Sequence, residues 1–158
     1  MKVAVTNIPN DLFVFGAWHA GKIPAETKLE ISFHDLWKLN RLAANDEADI
    51  VKISFNALAP ISNRYKVLPI GCAVITKGGP LVVSNKPIDR KQLTKMRLGI
   101  PGKTTTAYAL CSIFLPTPKE AVSFSYNEII PAVLSGEVDC GLLIHERRDS
   151  LEDKRLHL

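Results

Sequence analysis

The feature that most constrains this fold is a repeated switch of hydrophobic period, from short apolar runs to helical spacing, broken once by Gly78, Gly79 and Pro80. "VAVTNI" reads as a first strand. In "PNDLFVFGAWHAG", Asn10 is a good N-cap, Asp11 suits the positive helix end and Gly21 can stop the helix. Leu12, Phe15 and His19 share one face, and Phe13, Ala17 and Ala20 fall on another. A helix this apolar is expected to be covered on more than one side. "KLEISF" is the second strand, and Asp35 can cap "LWKLNRLAA", whose stripe is Leu36, Leu39, Leu42 and Ala43. "ADIVKISF" reads as a third strand, apolar enough to be a parallel strand covered on both faces.

After a looser segment, "NALAPISNRYK", the stretch "VLPIGCAVITKGGPLVVSN" carries two extended runs separated by the glycine and proline triplet. The alternation then restarts. "DRKQLTKM" is a short helix, "RLGI" a strand, "TTAYALCSIFL" a helix and "AVSFSY" a strand. "NEIIPAVLSGE" is a helix and "VDCGLLIH" the last strand. Strand and helix units in this order imply an α/β protein with parallel sheets, here in two lobes with a central cleft. The expected division is lobe one over 1–80, a hinge at 81–87 and lobe two over 88–158. Ligands of such sheets bind beyond the carboxyl ends of the strands. That rule points to 6–11, 54–56, 102–106, 125–127 and His145.

Composition mainly excludes. The net charge of +4 is spread along the chain with no basic block, which argues against nucleic acid and leaves room for an anionic small ligand. No run approaches a transmembrane span, and "MKVAVTNIPND" enters a strand without a signal-like core, so a cytoplasmic protein is expected. Cys72, Cys111 and Cys140 are scattered within apolar segments, which reads as buried free thiols and no metal site.

Three motifs bear on chemistry. "PGKTTTA" fails as a P-loop because Arg97 stands where the first glycine is required. It still offers a helix start with unpaired backbone N–H groups, an anion site, unless Thr104 or Thr105 merely caps the helix. His145 ends an apolar strand and is followed by Glu146, Arg147 and Arg148. It is either an ordinary strand-end residue or a partly desolvated imidazole able to act as a general base. Ser54 lacks a nucleophile elbow and reads as a hydrogen-bonding residue, and Asn10 as a cap or a ligand contact. His19, His34 and His157 have no expected role.

Together "NIPNDLFVF", "HDLWKLN", "VKISFNA", "GGPLVV", "IPGKTTTAYAL" and "AVLSGEVDCGLLIHE" resemble the 1,4-dihydroxy-6-naphthoate synthases of the futalosine route to menaquinone, over roughly residues 3 to 149. "PND", the "GKTTTA" segment and "SGEVDCGLLIHE" favour this family over the chorismate dehydratases and ordinary solute-binding proteins. The resemblance implies a periplasmic-binding-protein-like type II fold with its C-terminal part missing. It implies a lyase that converts cyclic dehypoxanthine futalosine, a carboxylated spiro compound, to 1,4-dihydroxy-6-naphthoate with release of a three-carbon dihydroxy fragment. No cofactor and no metal are implied. His145 maps onto the proton acceptor, and Ser54, Phe55, Asn56, Thr105, Thr106 and Ala107 onto substrate contacts. "TNI" and "KGGP" depart from the Ser-Pro-Cys-like and Gly-Cys-Gly-Pro-like stretches common there. The expected partners are the small-molecule carboxylate and either a second copy or a complementing C-terminal polypeptide, with no nucleic acid and no membrane. The alternatives are a non-catalytic carboxylate-binding module, as a split or degenerate paralogue on the same scaffold, and a chorismate dehydratase.

Overall fold

The computed structural model describes residues 1–74, 78–144 and 156–158. The chain divides into two compact units, Met1–Val74 and Ile75–Leu158.

The first unit is built on a three-stranded parallel sheet of β1 (Lys2–Val5), β2 (Glu30–Phe33) and β3 (Ile50–Val51), in the order β2-β1-β3. The central place of β1 explains why Val3, Ala4 and Val5 are all buried. Helix α1 (Pro9–His19) follows β1 and α2 (Leu36–Ala44) follows β2. The expected stripe of α2 is the one that packs: Leu39, Ala4 and Ala48 form a core with Leu36, Leu42 and Val51 around it. Ser54 stands at the N-cap of the short α3 (Phe55–Leu58), continued by a 3₁₀ turn over Ala59–Ile61.

Three expectations for this unit are corrected. The N-cap of α1 is Ile8, because Pro9, with φ preset and no N–H to lose, takes the first helical position and carries Asn10 inside. The end of α1 is as expected. Gly21, at φ +66°, lets Lys22 N–H reach the Ala17 carbonyl and Gly21 N–H the Trp18 carbonyl. Yet α1 is not covered on several sides: its one buried residue is Asp11, and Phe13 is 90% exposed. The third strand is two residues long and half-buried, because β1 ends at Val5 and the chain turns at Ser54 into α3.

The second unit holds β4 (Leu81–Ser84), β5 (Arg97–Ile100), β6 (Glu120–Ser123) and β7 (Cys140–Leu143), in the order β4-β7-β5-β6. A 3₁₀ segment, Arg90–Lys95, carries a capping box between Asp89 and Gln92. Helices α4 (Thr106–Phe114) and α5 (Ile129–Ser135) cover opposite faces of β7. Cys140 and Leu142 pack with Ala107 and Cys111 of α4, and Leu143 packs with Ile129 of α5. All four residues of β7 are buried, as a strand covered on both faces requires.

The sheet is mixed rather than parallel: β5 runs parallel to β6 and β7, and β4 pairs antiparallel with β7. No single crossover helix joins β4 to β7, so nothing imposes the parallel direction on that pair. Leu81–Ser84, expected within the hinge, is therefore an element of the second sheet, and His157 bonds antiparallel to Ser84 beside it. Cys111 and Cys140 are buried free thiols, whereas Cys72 is exposed, in an irregular stretch. Burial, then the Asp139 carboxylate and Cys111, push the Cys140 thiol up to about 12, so it is inert at neutral pH.

Candidate functional site

In the first unit, the connections that leave the carboxyl ends of β1 and β3 meet at Asp11. This carboxylate is 2% exposed, in the first turn of α1. The Thr6 N–H and hydroxyl both donate to its Oδ2, at 3.0 and 2.5 Å. Lys52, just beyond β3, places its ammonium 3.1 Å from Asp11 Oδ1 and donates to the Gly71 carbonyl at 2.8 Å. One buried charge thus ties the end of β1, the start of α1, the end of β3 and the 67–74 segment together. Burial of an ion pair is tolerable only when the remaining polar groups are also satisfied, as Thr6 does here.

Next along the chain, Ser54 is clamped by Asn40 of α2. The Ser54 N–H donates to Asn40 Oδ1 at 2.9 Å, and Asn40 Nδ2 donates to Ser54 Oγ at 3.1 Å. Among the described residues the Ser54 hydroxyl is seen only as an acceptor. The following Phe55 is 81% exposed and Asn56 is exposed. Asn10 is also exposed, on the first turn of α1. Of the expected contacts, Asn10, Ser54, Phe55 and Asn56 are thus brought to one edge, beyond the neighbouring strands β1 and β3.

Between β1 and β2 the same edge has a depression of about 300 Å³, lined by Asn7, Phe33, His34, Asp35, Trp37 and Lys38. Burial first, then the Lys38 ammonium, hold the His34 imidazole below its ordinary value against the opposing Asp35 carboxylate. His34 is therefore neutral at pH 7.

In the second unit, Thr105, Thr106 and Ala107 start α4 beyond the carboxyl end of β5. Thr105 is buried and is the N-cap: its hydroxyl donates to the Gly102 carbonyl at 2.7 Å and accepts from Tyr108 N–H at 3.3 Å. Gly102, at φ +123°, makes the turn that brings this about. The Thr105 side chain is committed to the cap, so a ligand here would meet the backbone N–H groups of the first helical turn, Thr106 and Ala107 among them. His145 lies outside the described residues. Among the described residues there is no cluster of three His, Cys, Asp or Glu able to hold a metal, and no helix long and apolar enough to cross a membrane.

Asp11 falls within the expected edge 6–11 but was read only as suiting the helix end, and Lys52, Asn40 and the His34 depression were not anticipated as site features. Two carried a signal. Asn40 sits on the apolar stripe of α2, four residues after Leu36 and three before Ala43, where a polar side chain must find a buried partner. Lys52 is the one charge inside the apolar run "IVKISF".

The two α/β units have the fold of the periplasmic-binding-protein-like type II class. The fold is shared with the binding protein component of a Pseudomonas aeruginosa phosphonate transporter, at TM-score 0.64 and 14% identity, covering 99% of this chain and 63% of that one. A crystal structure of an Archaeoglobus fulgidus protein matches at TM-score 0.85 and 35% identity, covering 99% of this chain and 58% of the other. Residues 1–156 match the family described as menaquinone biosynthesis, and the chain belongs to that family.

Among its relatives is a 1,4-dihydroxy-6-naphthoate synthase from Streptomyces coelicolor, 33% identical over 162 aligned positions, covering 99% of this chain and 57% of the relative. Another 1,4-dihydroxy-6-naphthoate synthase, from Thermus thermophilus, is 36% identical over 152 positions, covering 94% of this chain and 53% of the relative. The chain spans about half the length of these curated relatives.

Proposed function

We propose that this chain acts in 1,4-dihydroxy-6-naphthoate synthesis, as a carbon–carbon lyase on cyclic dehypoxanthine futalosine. The observation that carries the reading is identity of 33% and 36% to two synthases across nearly all of this chain. The geometry supports it through two edges suited to a polar, carboxylated ligand: the loops beyond β1 and β3, and the start of α4.

In this reading Ser54 Oγ–H, held in orientation by Asn40, donates to a ligand oxygen in the first unit. In the second unit the start of α4, at Thr106 and Ala107, suits an anionic or carbonyl oxygen. Asn10, Phe55 and Asn56 are exposed at the same edge as Ser54 and complete the proposed contacts there. His145 is the proton acceptor, removing a proton from the substrate to begin fragmentation toward the aromatic product. No residue of this scheme calls for a metal or an organic cofactor. A biosynthetic role of this kind fits a cytoplasmic location.

The test is product analysis after the purified chain meets cyclic dehypoxanthine futalosine and, separately, chorismate. Formation of 1,4-dihydroxy-6-naphthoate from the first alone is expected. Dehydration of chorismate, or binding without turnover, would replace the reading by a dehydratase or a binding module.

A further inference from the structure

We infer that Lys52 is a carboxylate-binding residue: its ammonium, fixed by Asp11 and the Gly71 carbonyl, presents its third N–H to a ligand anion at the carboxyl end of β3. The inference rests on the functional reading above for the identity of the ligand and deepens it by naming a residue that recognises the acid group.

Four observations carry it. An ammonium has three hydrogens to donate. Among the described residues Lys52 has two acceptors, Asp11 Oδ1 at 3.1 Å and the Gly71 oxygen at 2.8 Å. Its side chain is 21% exposed whereas that of Asp11 is 2% exposed, so the pair opens to solvent on the lysine side. Lys52 lies two residues before Ser54, at the edge where parallel α/β sheets receive ligands.

The charge balance also favours an anion. Asp11 is compensated by more than Lys52: it accepts two hydrogen bonds from Thr6 and sits in the first turn of α1, whose N-terminus carries roughly half a positive charge. Asp11, Lys52 and the helix end together therefore keep a net positive character.

The experiment is calorimetric titration of the chain with cyclic dehypoxanthine futalosine and with its carboxylate methyl ester. The wild type should prefer the acid. Lys52→Met should lose about ten- to a hundredfold of that preference, the worth of one hydrogen bond to a charged group, while ester binding changes little. Because Lys52→Met leaves Asp11 without its cation, the double variant Asp11→Asn with Lys52→Met removes the lone buried charge and should show the same loss. Asp11→Asn alone keeps the ammonium and should keep the preference. A purely structural role makes Asp11→Asn behave like Lys52→Met, for acid and ester alike, and that result overturns the assignment. So does a preference that survives in the double variant, or a wild type that binds acid and ester equally. A wild type that binds neither overturns the functional reading itself, and the assignment with it.

Discussion

At the scale of single residues, the first unit places neutral and charged groups side by side and lets each set the state of the next. His34 is the example with a measurable consequence. Its imidazole is held below the ordinary 6.5 by burial and by Lys38, and raised by Asp35. Lys38→Met should therefore move its titration up, and Asp35→Asn should move it further down, both read from the imidazole resonances by NMR. A midpoint unmoved by either would mean that neither charge is felt at the ring. The linkage to stability has a definite sign. The unfolded chain takes up this proton before the folded one, so the fold loses stability as pH falls below about 6.5 and goes on losing it until the lower, folded value is passed. Above that window His34 contributes nothing to the pH dependence. Asn40 and Ser54 follow the same logic without charge: each satisfies the other, so neither leaves a buried polar atom alone.

At the scale of elements, closeness of packing decides what can be changed. Helix α5 lies so near β7 that a Cβ on Gly141 would stand 2.6 Å from Ile129 Cγ2 and 2.9 Å from Val133 Cγ2. Both neighbours are β-branched and stiff at χ1, so neither methyl can swing away. Gly141→Ala should cost about 1–3 kcal/mol by overpacking. Gly99→Ala, whose Cβ would meet Val138 Cγ2 at 3.2 Å, should cost less. Denaturant unfolding of the two variants gives the comparison, and equal stability would mean that α5 can shift.

The elements also show what was readable in the sequence and what was not. The stripe of α2 was legible because Leu36, Leu39, Leu42 and Ala43 recur at helical spacing. The strand at "ADIVKISF" was placed correctly but read as too long, since hydrophobicity continues past the point where β1 ends and pairing stops. The direction of β4 was hidden, because its partner β7 lies far along the chain and no local pattern records strand direction. Asn10 was misread as a cap because Pro9 was not given the first helical position. The cap at Thr105 was one of two readings of the same threonines, and only coordinates separate a hydroxyl bonded to Gly102 and Tyr108 from one turned to a ligand.

At the scale of the whole molecule, apolar side chains of the first unit stand in solvent: Phe13 of α1, Phe55 of α3, and Val67, Ile70 and Val74 of the irregular segment are each more than half exposed. Exposed apolar groups in such numbers favour association. Light scattering of the purified chain is expected to show a dimer or larger species, and a monomer at high concentration would mean that these side chains are tolerated in water. The functional reading stands on the identity to the two synthases, and His145 is the base it proposes. The decisive measurement is the rate of 1,4-dihydroxy-6-naphthoate formation from cyclic dehypoxanthine futalosine by the chain and by its His145→Asn variant. Product from the wild type, with turnover lowered by about two to four orders of magnitude in the variant and substrate affinity nearly unchanged, is the expected result. No product from a chain that binds the substrate, or equal rates with and without the imidazole, would contradict it.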